Sequence, residues 1–128
     1  MNLLLDTHLL LWAAYQPGRL SSTARRMMEE PRNTLVFSAA SVWEVAIKAS
    51  RRPAPFGSTP TVFRRGLVDA GYVELPVNAV HASAVADLAD LHRDPFDRIL
   101  IAQAHVEGFV LLTADHQMAQ YGEPVYSV

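Results

Sequence analysis

The chain has 128 residues, half of them apolar, with 11 basic against 13 acidic side chains and a net charge of −2. That length suits one domain with a real hydrophobic core. The absence of cysteine excludes a disulfide framework and a thiolate zinc site, and no apolar run approaches the roughly 18 residues of a membrane span. The N-terminus, Met1-Asn2-Leu3-Leu4-Leu5-Asp6, carries no basic segment and reaches an acid at once, so it does not read as a signal peptide. A cytoplasmic protein is the simplest reading.

Asn2–Leu5 is apolar without alternation, the pattern of a short strand buried on both faces of a parallel sheet. Thr7 to Tyr15 follows as a helix ending near Pro17-Gly18. Ser21, Ser22 and Thr23 offer N-caps for a second helix, which Pro31 stops after about Glu30. Thr34–Phe37 reads as a second strand. Ser38 can cap the next helix, within which Ser41-Val42-Trp43-Glu44 matches a capping box; Val42, Val45, Ala46 and Ala49 keep helical spacing. Arg51 to Thr59, holding Pro53, Pro55 and Gly57, is expected to be a loop. Pro60 is placed as the first residue of a helix ending near Gly71. Tyr72–Leu75 is a third strand, and Asn78 caps a helix to about Leu88. Asp94-Pro95 opens a longer helix that Gly108 closes. Phe109–Leu112 is a fourth strand, His116–Gln120 a short helix, and Val125–Tyr126 a last strand. Strands alternating with helices predict a parallel sheet covered on both sides.

Four acids stand at the ends of strands or the starts of helices: Asp6, Glu44, Asp97 and Asp115. In an open α/β sheet, ligands bind in the crevice at the carboxyl ends of the strands, so the fold would gather these side chains. Packed carboxylates need compensation, and a hard divalent cation with oxygen ligands supplies it. Each acid also has an ordinary explanation. Asp6 can cap the helix starting at Thr7, and Asp115 the one starting at His116. Glu44 stands four residues before Lys48, the spacing of a helical ion pair. Asp94 is a natural N-cap before Pro95, which puts Asp97 at N3, where the helix dipole favours a carboxylate. Joint placement is the stronger argument, and it depends on a strand order that these patterns do not supply.

Setting aside Asp6, Glu44, Asp94, Asp97 and Asp115 leaves eight acids against eleven bases. The pairs Arg25-Arg26, Arg51-Arg52 and Arg64-Arg65 are either solvated helix surface or contacts for a phosphate backbone. His8 and His92 lie near element ends and read as structural. No Ser-His-Asp grouping or Gly-rich phosphate loop is visible.

The segments Leu3-Leu4-Leu5-Asp6-Thr7-His8, Ser41-Val42-Trp43-Glu44-Val45, His92-Arg93-Asp94-Pro95-Phe96-Asp97-Arg98-Ile99-Leu100-Ile101-Ala102 and Leu112-Thr113-Ala114-Asp115 resemble the PIN-domain nucleases. More narrowly they resemble VapC-type toxins of bacterial toxin–antitoxin pairs. The match runs in order to about residue 115; Asp-Pro-Phe-Asp-Arg and the Trp-Glu pair are its more specific parts. The resemblance implies a single PIN domain over residues 1–128, an α/β/α three-layer fold with a five-stranded parallel sheet of order 3-2-1-4-5. That order places Asp6 beside Asp115. It further implies a ribonuclease dependent on Mg²⁺, with Mn²⁺ as a substitute, often homodimeric and neutralised by a small VapB-type antitoxin. Asp6, Glu44, Asp97 and Asp115 would then be the catalytic and metal-binding acids, with Asp94, Thr7, Thr113 and Arg98 as accessories to metal-bound water, phosphate or a carboxylate. Apolar surface around Leu11, Trp12 and Tyr15 is the expected antitoxin groove.

Two other readings compete. A receiver-like phosphotransfer domain is also α/β with clustered acids, but it concentrates them after the first strand, where Asp6 stands alone. A non-catalytic interaction module would keep the fold and lose the chemistry; the intact acids argue against it.

Overall fold

The structure is a computed structural model and describes residues 1–51 and 59–128. Five strands, β1 (Asn2–Leu5), β2 (Thr34–Ser38), β3 (Val73–Leu75), β4 (Val110–Thr113) and β5 (Val125–Ser127), form one sheet. All pairings are parallel, in the order β3-β2-β1-β4-β5. This is the order the resemblance implies. The helices are α1 (Thr7–Tyr15), α2 (Ser22–Glu29), α3 (Ala39–Arg51), α4 (Pro60–Asp69), α5 (Ala79–Ala84), α6 (Pro95–Glu107) and α7 (His116–Ala119). Short 3-10 turns follow α1 and α5, at Pro17–Arg19 and Val85–Asp87. The expected loop at 51–59 falls largely outside the described residues; Arg51 itself closes α3.

Alternation along β1 divides the core. Leu3 and Leu5 point to one face, where Leu9, Leu10, Phe37, Phe63 and Leu67 pack with them. Leu4 points to the other, against Val36, Leu100, Ile101, Ala104, Leu111 and Met118. Helices α1 and α4 thus cover one side and α6 and α7 the other, giving the expected three layers. All three leucines are fully buried, which is why β1 shows no polar alternation.

Three local expectations need correction. The match at Ser41–Glu44 is no capping box, because α3 starts earlier: the Ser38 hydroxyl accepts from the Ala40 N–H at 3.0 Å. Glu44 sits inside that helix and meets Lys48 instead. Strands β3 and β4 each begin one residue later than expected. The Tyr72 N–H still bonds to Leu67, and the Phe109 N–H to Ala104, so both belong to the exits of the preceding helices. Gly108, at φ 71°, makes the second exit without steric cost. Finally, the helix capped by Asn78 ends at Ala84 and not near Leu88. The chain tightens there into the 3-10 turn, the Leu88 N–H bonding to Val85 at 3.2 Å, and the Arg98 guanidinium also donates to the carbonyls of Val85 (3.4 Å) and Ala89 (2.9 Å).

One tie crosses between layers near the acids. The buried Thr7 hydroxyl donates to Ser41 Oγ at 2.9 Å, joining the first turns of α1 and α3.

Because β1 is central and Leu4 is sealed, Leu4→Ala should destabilise the domain by about 3 kcal/mol, the cost of lost transfer energy plus a cavity. Chemical denaturation checks this, with an exposed control such as Val62→Ala expected to change stability little.

Candidate active site

Each acid is held by the local geometry that its sequence position dictates. Asp6 leaves β1 in extended conformation and caps α1, its Oδ1 accepting from the Leu9 N–H at 2.8 Å. Its own N–H bonds to the Leu112 carbonyl of β4 at 3.1 Å, so the strand pairing itself sets its place. Its Oδ2 accepts a short hydrogen bond from the Thr113 hydroxyl. Thr113 ends β4, and its oxygen also accepts from the Asp115 N–H at 2.9 Å. Asp115 then caps α7 through the Gln117 N–H at 2.8 Å. Thr113 therefore binds the two aspartate positions together. Burial pushes the Asp6 carboxyl above its ordinary range, and Asp115 adds to the rise; the bonds from Thr113 and Leu9 and the nearby His8 oppose it.

Asp97 is the N3 residue of α6, whose N-cap is Asp94; Asp94 accepts from the N–H groups of Phe96 (2.9 Å) and Asp97 (3.2 Å). Asp97 is raised to about 6, chiefly by burial and then by the charges of Asp94, Asp115 and Glu44 in that order, against a lowering bond from His92. Asp115 is thus within electrostatic reach of both Asp6 and Asp97, and Glu44 of Asp97. The four acids lie on one edge of the sheet. Glu44 is buried, yet Lys48 reaches it from solvent at 2.6 Å.

The accessory positions divide. Thr113 touches Asp6. Thr7 touches Ser41 and no acid. Asp94 is exposed at the start of α6 and acts on Asp97 through its field and its cap. Arg98 does not reach a carboxylate: it gathers backbone carbonyls and donates to the Tyr121 hydroxyl at 2.9 Å.

His92, read from sequence as structural, contacts the site directly. Its Nε2 lies 3.1 Å from Asp97 Oδ2 and its Nδ1 2.7 Å from the Tyr121 hydroxyl. Its position five residues before Asp97 was a signal for this contact; Tyr121, far along the chain, offered none. Beside the acids, Trp43 is 62% exposed and packs edge-on against Phe96 at 5.1 Å between ring centroids. The two rings follow the acids' own helices, one residue before Glu44 and one before Asp97.

This donor set fits a hard cation. It is all oxygen, and burial and mutual repulsion leave its charge under-compensated. Among the described residues no group of three or more such side chains is drawn together tightly enough to hold a metal as it stands. Thr113, Lys48 and His92 instead each satisfy one acid separately.

A chain with this sheet order and this edge of acids matches the PIN domain family model over residues 3–124, and it belongs to that family. It is similar to Ribonuclease VapC22 of Mycobacterium tuberculosis, at 28% identity over 123 residues, covering 96% of this chain and 94% of that protein. Among solved structures it resembles VapBC2 from Rickettsia felis bound to a promoter DNA fragment, with a TM-score of 0.75, 13% identity and coverage of 100% and 99%. VapBC-1 from nontypeable Haemophilus influenzae gives a TM-score of 0.68 at 18% identity, covering 100% and 97%.

The Asp97 carboxyl, at about 6 in the folded chain against an ordinary 3.8, binds its proton more tightly folded than unfolded. Its contribution to stability is therefore full below pH 4 and is lost as pH rises through about 6. Asp97→Asn should remove that loss. The variant should be more stable than the parent at pH 7.5 without divalent ions, by on the order of 1 kcal/mol, since solvent reaching the side chain screens part of the shift. Thermal melts at pH 4 and pH 7.5 check the sign: the gap between variant and parent should open with rising pH.

Proposed function

We propose that the chain is a VapC-type ribonuclease toxin that hydrolyses RNA phosphodiester bonds with Mg²⁺ or Mn²⁺ and is neutralised by a VapB-type antitoxin. The observation that carries this reading is the edge of four acids, linked electrostatically through Asp97 and Asp115, on a PIN domain, in a chain similar nearly end to end to a ribonuclease. The metal would be held among Asp6, Glu44, Asp97 and Asp115, with water completing its shell. When bound, it supplies a hydroxide from water and offsets charge on the phosphate oxygens.

The chain's own groups divide the chemistry. Asp6, fixed by three hydrogen bonds, is the rigid donor. Asp97, at about 6, is matched to accept a proton from attacking water near neutral pH. Glu44 is committed to Lys48, which makes it the poorer base. Exposed Trp43 gives a base a face to stack on. Neighbouring Arg93, exposed and without a hydrogen bond or ion pair among the described residues, can meet the phosphate backbone. Among the Arg pairs, Arg64 is committed to Glu74 at 2.5 Å, and Arg25 donates to the Pro17 carbonyl.

The antitoxin is expected to present an arginine to the acids, where its planar fork can engage carboxylates bidentately. Leu11, Trp12 and Tyr15, the proposed groove residues, are half-buried against the core; Arg19 covers the Trp12 ring at 4.7 Å, and Tyr15 stacks on Phe63. A docking segment would therefore meet their outer edges. Homodimerisation, as in related toxins, and a cytoplasmic location remain part of this reading. Among the described residues no helix is long and apolar enough to cross a membrane.

Asp6→Asn should lower single-stranded RNA cleavage in Mg²⁺ by at least about a hundredfold, while circular dichroism shows the fold retained. Cleavage that survives both this substitution and a chelator would overturn the assignment. Co-expression with a neighbouring small gene gives the partner test: a stable complex should cleave far more slowly than the free chain, and a complex cleaving at the free rate would refute inhibition at the acids.

A further inference from the structure

The contacts of His92 fix its chemistry as well as its place. Arg98 can only donate, so the Tyr121 oxygen accepts from it at 2.9 Å. Among the described residues, His92 Nδ1, at 2.7 Å, is the one acceptor against that hydroxyl, so it receives the Tyr121 proton. Nδ1 is then the bare nitrogen, and the ring proton sits on Nε2, aimed at Asp97 Oδ2 at 3.1 Å. The two rings meet nearly edge to face, 5.2 Å between centroids, which resists rotation of the imidazole.

The members come from three parts of the chain. Arg98 lies on α6 and is anchored by the carbonyls of Val85, Ala89 and His92 itself. Tyr121 follows α7. His92 stands in the segment before α6, half-buried, with its side chain 6% exposed. Such a chain of donors ending on a carboxylate is longer than a surface cap needs: Asp97 already lies at a helix N-terminus, where its charge is favoured.

We propose that Arg98, Tyr121 and His92 form a relay that locks the Nε2–H form of His92 and thereby sets the orientation of the Asp97 carboxylate, leaving Oδ1 for the reacting groups. His92 and Tyr121 are positioning residues, acting through Asp97. The inference rests on the reading of Asp97 as a functional acid. It also gives Arg98 a role, because Arg98 reaches the site through Tyr121 and His92, three hydrogen bonds removed from the carboxylate.

The test uses the full chain and three variants, Tyr121→Phe, His92→Gln and His92→Ala. Nitrogen chemical shifts of the His92 ring at pH 7.5, without added metal, should show the Nε2–H form in the parent. Tyr121→Phe, which touches no acid, should give a mixture of both forms. Isothermal titration with Mn²⁺ should show His92→Ala weakened about tenfold, as for loss of an outer hydrogen bond to a ligand; Tyr121→Phe should be weakened less, and His92→Gln, whose amide can donate near the same point, partly restored. On RNA, kcat should fall in the same order with KM within about twofold.

An Nδ1–H form in the parent, or ring shifts unaltered by Tyr121→Phe, would overturn the relay. So would variants that melt lower yet keep parental Mn²⁺ affinity, which is the mark of a merely structural cluster. If the parent itself cleaves no RNA, the nuclease reading fails, and the ring shifts and Mn²⁺ titration still decide whether the relay exists.

Discussion

A buried carboxylate at the end of a central strand is the constraint on which this molecule turns. Asp6 is almost fully enclosed, and an unpaired charge there would cost several kcal/mol. Two hydrogen bonds to the carboxylate offset that cost, and a backbone bond fixes its place. The backbone of Asp6 extends the β1–β4 ladder, its Oδ1 takes the first free N–H of α1, and its Oδ2 takes the hydroxyl that ends β4. Strand pairing, helix start and site geometry are one arrangement. A change in β1–β4 register would break the backbone bond of Asp6 to Leu112, take the Thr113 hydroxyl from its carboxylate, and turn Leu3, Leu4 and Leu5 out of their layers.

Around that point the acids are kept apart as much as together. Thr113 serves Asp6, Lys48 serves Glu44, and His92 serves Asp97, so each charge is quieted locally. The partners are chemically unlike: a hydroxyl, an ammonium and an imidazole. Burial nevertheless raises the carboxyls of Asp6 and Asp97, and repulsion from neighbouring acids adds to the rise. Concentrating charged acids at this edge costs stability.

The sheet was legible because β1 and β4 are short runs of unbroken aliphatic residues, and the helices because Ser21, Asn78 and Asp94 announce their starts. Strand order was not; it came from the likeness of four spaced motifs to one family. Element ends were misjudged where a backbone hydrogen bond from another turn decides membership, as at Tyr72 and Phe109. Where α5 ends, the chain tightens into a 3-10 turn that also takes Arg98, a contact beyond the reach of any local pattern. For the acids, the structure bears out the ordinary explanations and gathers the side chains at one edge of the sheet. Asp6, Asp94 and Asp115 are caps, and Glu44 is paired with Lys48. Capping is how each side chain is aimed, so the two readings never competed. His92 also meets Tyr121, a contact that spacing cannot show.

The pairing of β1 with β4 has a bearing on synthesis. Leu3 lies against Val110, and Asp6 is bonded to Leu112 and Thr113. Chains emerge from the ribosome N-terminus first. Until the β4 segment has emerged, β1 has one side open, and Asp6 lacks both its ladder partner and its hydroxyl. The loop to be closed spans more than a hundred residues, a slow class of contact. Whatever chemistry this edge performs therefore waits until the β4 segment has been made. Until then, an unpaired strand of three leucines is exposed to any neighbour able to bind it.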